Sequence, residues 1–305
     1  MLTELYSLMG MMLLLVLAGF LLRKAQIITA AGKECLTDIL LTIILPCNII
    51  KAFSSASSEE NFWCSVIQVL AAAILIQVFS VLAAHILYRR MDPDKRPVYQ
   101  YGTICSNAGF MGNPLSEGIF GETGLMYASV FLIPLRIVMW SAGASCFHKG
   151  NKKEVYKKVL THPCMVATYL GLLILIFGIS LPGVISDTVS SLSNCTTALT
   201  MMYIGTIIVD AKPKSMLSAD QFYFALIRLV GIPLIVWVCC RLAGIDPLAA
   251  GVCTLMSAMP AGSTTSLLAS KYHADEQAAA GCVVFTTILS CVSIPIWSII
   301  LLSQI

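Results

Sequence analysis

The sequence predicts an all-α polytopic membrane protein with ten transmembrane helices arranged as two five-helix repeats of opposite orientation. Three observations carry this expectation. The chain is 58% hydrophobic and only 11% charged over 305 residues, with a mean hydropathy of +0.86, well outside the range of a soluble domain. Its Lys and Arg residues collect in every second loop between the apolar runs. One run in each half is interrupted by Gly, Pro and polar residues at the depth where hydrocarbon tolerates a free amide or carbonyl least.

Apolar runs of roughly 17 to 25 residues fall near 6–22, 36–53, 63–87, 99–119, 123–147, 163–180, 188–209, 222–242, 248–269 and 278–303, leaving no room for a soluble domain. No cationic residue precedes the first run and Arg23 and Lys24 follow it, so it reads as an N-out anchor rather than a cleaved leader. With the N-terminus outside, the inner loops collect Arg23, Lys24 and Lys33, then Arg89, Arg90, Lys95 and Arg96, then Lys149 to Lys158, Lys212 and Lys214, and Lys271. Lys51 and Arg241 fall on the outer side, and Arg136 and Arg228 inside runs. The expectation is a multi-pass cell-membrane protein with both termini extracellular, whose net charge of +3 is a topology signal and not a nucleic-acid one. The 12 cysteines sit mostly within apolar runs, where Cys packs as a small hydrophobe, and no Cys/His spacing suggests a metal site.

Five runs lie on each side of the basic loop at 148–162. The expected organisation is a first repeat over 1–147, the cytoplasmic loop, and a second repeat over 163–305. An odd number of spans per repeat inverts the second, which is an architecture of transporters with the substrate at the repeat interface. The fourth run of each half is the broken one: GTICSNAGFMGNPLSEGIFG from Gly102 to Gly121, and GVCTLMSAMPAGSTTSLLAS from Gly251 to Ser270.

These residues resemble a known family. Asn107-x4-Gly112-x-Pro114 followed by Phe120-Gly121, together with Met259-Pro260-Ala261-Gly262, Ala269-x2-Tyr272, Ile294-Pro295 and Leu45-Pro46, is similar to the auxin efflux carrier family of membrane transport proteins. The resemblance covers essentially the whole chain. It implies a ten-helix elevator carrier in which spans 1, 2, 6 and 7 form a scaffold, through which a homodimer would assemble. Spans 3 to 5 and 8 to 10 would form a moving unit where the broken spans 4 and 9 cross. It also implies a small-molecule anion as cargo, since plant members export the auxin carboxylate and bacterial members are associated with malate, malonate and similar anions. The short loop between halves resembles the compact bacterial form. Cys105-Ser106-Asn107 and Ala261 depart from the plant pattern, which has a proline before the asparagine and a polar residue after the second proline.

The first break offers Ser106, Asn107 and Asn113 as polar groups, with Gly109, Gly112 and Pro114 as helix-break residues, and the second offers Pro260, Ala261, Gly262 and Ser263. Half-helix N-termini directed at the crossing suit a carboxylate, whereas isolated small residues otherwise serve tight helix packing. Arg136 stands in the fifth run, where insertion of an Arg costs about 2.5 to 3.5 kcal/mol. It is expected either to pair with a substrate carboxylate or to bond the carbonyls freed by the broken helix. Arg228, about 9 Å inside its span, reads as a snorkelling residue. Asn48 is the polar handle of the second span beside Pro46, and Glu117 is a candidate for coupling to a proton or cation.

The leading functional expectation is a secondary carrier of a small organic anion, with coupling to H+ or Na+ open and no cofactor. The alternative is a cation-coupled symporter or antiporter of amino acids or other amphipathic solutes, and a different class is a transporter-like membrane receptor or sensor. No HExxH or GxGD motif suggests an intramembrane enzyme, and no GxxxxGK[ST] suggests ATP-driven transport.

Overall fold

A computed structural model describes residues 2–54, 62–147, 161–209, 218–272 and 274–304. Most of the basic loop expected at 148–162, and the segments around 57–60 and 212–214, lie outside the described residues. The chain runs as α1 (Leu2–Lys24), α2 (Ala30–Ser54), α3 (Phe62–Leu87), α4 (Arg96–Ile104), α5 (Asn113–Val138), α6 (Pro163–Phe177), α7 (Gly183–Val209), α8 (Ala219–Leu242), α9 (Pro247–Ser257), α10 (Thr264–Lys271) and α11 (Glu276–Leu302). Among the described residues, six helical stretches are long and apolar enough to cross a membrane, and α6 and α9 are shorter apolar helices. Side chains such as Leu14, Leu75, Ile86 and Val184 stand exposed on their outer faces, as a bilayer-facing surface requires and a water-facing one does not.

Local chemistry sets the helix ends. Asp246, Asp275 and Ser218 cap α9, α11 and α8 by accepting from Ala249, Ala278 and Gln221 amides. Gly178 closes α6 in the left-handed conformation at φ 60. Inside α5, Gly121 takes φ 70 and ψ −162, a turn that a side chain would strain. It divides the helix where the sequence places the boundary between the fourth and fifth runs.

Prolines shape the interiors. A π-helical turn spans Leu40–Ile44, Ala108–Gly112 and Ile227–Gly231, and in each case a proline follows at the second residue beyond it: Pro46, Pro114 and Pro233. Proline lacks the amide that would bond the carbonyl four residues back, which favours a widened turn at these three places, whereas Pro134 and Pro295 lie inside α5 and α11 without one, and the π turn Met139–Gly143 has no proline after it. At the third of these turns the freed Leu229 carbonyl accepts from Trp297 Nε1 at 2.9 Å.

The helices pack in two groups. In the first, α1 lies along the second half of α7, and the Leu45–Ser54 half of α2 lies against α6 and the start of α7. Gly19 and Gly205 bring α1 and α7 so close that a Cβ on either would overlap the facing backbone, at Met202 and Val16 respectively. In the second group, α3 packs on α4, α5 and α9, and α11 packs on α8, α10 and α4. Contacts between the groups are sparser and run from α2 to α5, from the second half of α7 to α11 and the Ala108–Gly112 turn, and from α5 to α6.

Candidate functional site

Both chain breaks fall in the core of the second group and meet there. Ser106 and Ala261 face each other as an isolated antiparallel bridge. The Asn107 amide donates to the Pro260 carbonyl at 2.8 Å, and the Gly262 amide donates to the Cys105 carbonyl at 3.0 Å. Two interrupted helices thereby satisfy one another's backbone at a depth where each unmet group would cost several kcal/mol. The Ala261 amide donates to Thr286 Oγ1 on α11 at 3.2 Å. Tyr101 Oη donates to Thr264 Oγ1 at 3.1 Å, tying α4 to α10.

Most of the polar residues expected here are brought together. Ser106 and Asn107 are buried, and Asn113 is fully so. Ser106 Oγ lies 3.5 Å from the Met256 carbonyl. Neither side-chain atom of Asn113 has a hydrogen-bond partner, and Thr265 Oγ1 in the second break is orphaned in the same way. Pro260, Ala261 and Gly262 are buried and Ser263 is half-buried. Gly112 packs on Met256 and Met259, whose side chains come within 3.3 Å of where a Cβ would stand, whereas nothing lies within 4 Å of that position at Gly109. The Gly109 flank of the crossing is therefore its open side.

Arg228 departs from expectation. It does not snorkel: it is 3% exposed, and its Nε donates to the Met259 carbonyl at 3.0 Å and its Nη1 to the Thr103 carbonyl at 3.3 Å. The work of tying the freed carbonyls, one of the two roles expected of Arg136, falls to Arg228. Arg228 lies in the π turn Ile227–Gly231, which Pro233 follows.

Arg136 is 6% exposed and occupies the last turn of α5. Its Nη1 has no hydrogen-bond partner, and its electrostatic neighbours are Cys164, Tyr169 and His162, at and just before α6 of the first group. It therefore stands where the two groups meet. Burial, reinforced by the Arg136 charge, pulls the His162 imidazole down to about 4. That ring caps α6 by accepting from the Cys164 amide through Nδ1 at 3.3 Å.

Asn48 and Glu117 meet each other instead of the crossing. Asn48 Nδ2 donates to Glu117 Oε2 at 3.1 Å and to Ser193 Oγ at 3.0 Å. Lys51, which the sequence reading left as an outer-side cation, has its Nζ 3.6 Å from Glu117 Oε1 and 3.8 Å from Glu122 Oε1. The cluster joins α2 and α7 of the first group to α5 of the second. Among the described residues, no group of His, Cys, Asp and Glu is arranged to hold a metal ion.

The sequence model of the membrane transport protein family matches residues 6–298. An uncharacterized transporter of Methanocaldococcus jannaschii is 24% identical over 303 residues, covering 95% of this chain and 97% of that protein. One from Methanothermobacter thermautotrophicus is 23% identical over 296 residues, covering 95% and 96%. A family match over nearly the full length, with both breaks inside it, makes this chain a member of the auxin efflux carrier family of membrane transport proteins.

Proposed function

We propose that the protein is a secondary carrier for a small organic anion, a carboxylate, moved when the second helix group slides along the first. The observation that carries this reading is Arg136: a buried guanidinium with an unpartnered nitrogen at the boundary between the groups. A buried charge left unpaired is strongly unfavourable, and a carboxylate bound in bidentate geometry offsets that cost. The orphaned Asn113 amide and Thr265 hydroxyl, with Ser106, Asn107 and Ser263, supply hydrogen bonds on the crossing side. On this reading the turn at Gly121 separates two spans, ten spans form the inverted repeat, both termini face outside, and first-group helices are the surface for a homodimer.

The test is Arg136→Gln, assayed by thermal shift with carboxylates and their matched amides. Loss of one charge-assisted bond, about 1.5 to 3 kcal/mol, weakens acid binding by roughly one to two orders of magnitude while leaving the amides unchanged. Equal weakening of acids and amides, or none, overturns the anion reading. Selective loss of amino acids instead points to the zwitterionic or amphipathic solutes of the alternative.

A further inference from the structure

The C-terminal ends of the two half-helices that precede the breaks converge on a single side chain. Each helix C-terminus carries about half an elementary negative charge on its free carbonyls, so α4 and α9 together present roughly one negative charge at the crossing. Thr103 O, in the last turn of α4, and Met259 O, just past the Ala258 cap of α9, accept from Arg228 Nη1 and Nε at 3.3 and 3.0 Å. One buried guanidinium therefore matches the charge and supplies separate donors to both ends. The groups that feel its charge are Cys105, Tyr88 and Cys282. Among the described residues, no Asp or Glu is paired with it.

Its placement is fixed from behind. Arg228 lies in the π turn Ile227–Gly231, which Pro233 follows and which Trp297 ties through the Leu229 carbonyl. Tyr88, which accepts from Thr103 Oγ1 at 3.0 Å, lies beside the same helix end. The guanidinium enters from α8, on α3's side of the crossing, whereas Arg136 marks the boundary with the first group.

We propose that Arg228 is the resident cation of the crossing, holding the converging carbonyls in the way a bound sodium ion would, so that the carrier needs no sodium to assemble its site. The proposal rests on the carrier reading, and it narrows the coupling question left open by the sequence. A metal ion binding the same carbonyls would have to displace a guanidinium that the chain already holds against them.

The experiment uses the purified full chain without substrate, so a failure to find a transported carboxylate leaves it untouched. A specifically bound ion raises the melting temperature by linkage. The wild type is expected to melt at the same temperature in sodium and potassium chloride of equal strength. Arg228→Ala is expected to melt several degrees lower and to recover in part with guanidinium at concentrations too low to denature. Arg228→Lys, able to reach one carbonyl but not both, is expected to fall between. Leu229→Ala, the neighbouring control, gains nothing from guanidinium. Sodium-specific stabilisation of the wild type overturns the proposal, as does an Arg228→Ala protein that melts like the wild type or ignores guanidinium. Should Arg228→Ala yield no folded protein, the wild-type sodium comparison and the Arg228→Lys intermediate decide the matter.

Discussion

If the second group slides along the first, the Asn48–Lys51–Glu117 cluster must part, and its strength sets part of the barrier. At the 3.6 Å separation of Lys51 Nζ and Glu117 Oε1, an effective dielectric of about 20 gives roughly 4 to 5 kcal/mol of gross attraction. The two side chains retain 19% and 25% exposure, and after desolvation and side-chain ordering a pair of this kind is worth about 1 kcal/mol net. The hydrogen bond from Asn48 Nδ2 to the same carboxylate, at 3.1 Å, adds about 1.5 kcal/mol, the low end for a charged acceptor because Lys51 still serves Glu117 when Asn48 is gone. Asn48→Ala should therefore shift the balance between joined and parted arrangements roughly tenfold, and Glu117→Gln, which keeps the hydrogen bond and loses the Lys51–Glu117 ion pair, roughly five-fold. The assay is a spin-label distance between Val184 in the first group and Leu267 in the second, both exposed, with the exposed native cysteines at 35, 64, 195 and 239 replaced. Each variant should transfer population from one distance to a second. Unchanged distance distributions in both variants would refute the claim that this cluster holds the groups together.

Three further outcomes are expected. Gly205→Ala drives a methyl into the α1 backbone at Val16 and Phe20 and should cost about 1 to 3 kcal/mol or more, seen as a lowered melting temperature that Gly183→Ala, with open space around it, does not share. The folded state holds the His162 pKa at about 4, below the unfolded value of about 6.5, so its neutral form is favoured in the fold. Stability should be full above pH 6.5 and fall as the pH drops toward 4, and His162→Asn, which keeps a capping side chain, should flatten that slope in a pH series of melting curves. Cysteine reporters at 149–158 and 212–214 should be shielded from impermeant reagent in intact cells while those at 183–187 label, and the reverse pattern would invert the proposed topology.

Much of this architecture was legible because membrane chemistry allows few exceptions. Asn107, Pro114, Pro260 and Gly262 announce themselves as breaks in apolar runs, and the structure pairs those two breaks with each other. Phe120-Gly121 marks a turn that only glycine makes comfortably. What the sequence hides is partnership at long range. Arg228 bonds carbonyls 125 and 31 residues away, and carbonyls carry no sequence signal, so its depth from the nearer helix end suggested escape to the surface instead. Asn48 and Glu117 were each visible as polar residues in apolar surroundings, but their meeting across 69 residues depends on how two helix groups dock. Arg136 was conspicuous by its cost, while its setting beside His162 and Cys164 is decided by α6, which follows it across the basic loop.

The paired breaks bear on energetics that a single interrupted helix would leave open. Because the Asn107–Pro260 and Gly262–Cys105 bonds join both segments to one another, neither break rearranges without unmaking the other, and the crossing is one mechanical piece. On the carrier reading proposed above, a cargo would keep the same crossing-side groups whichever face it opened to, and only the first-group side of its site, beside Arg136, would change.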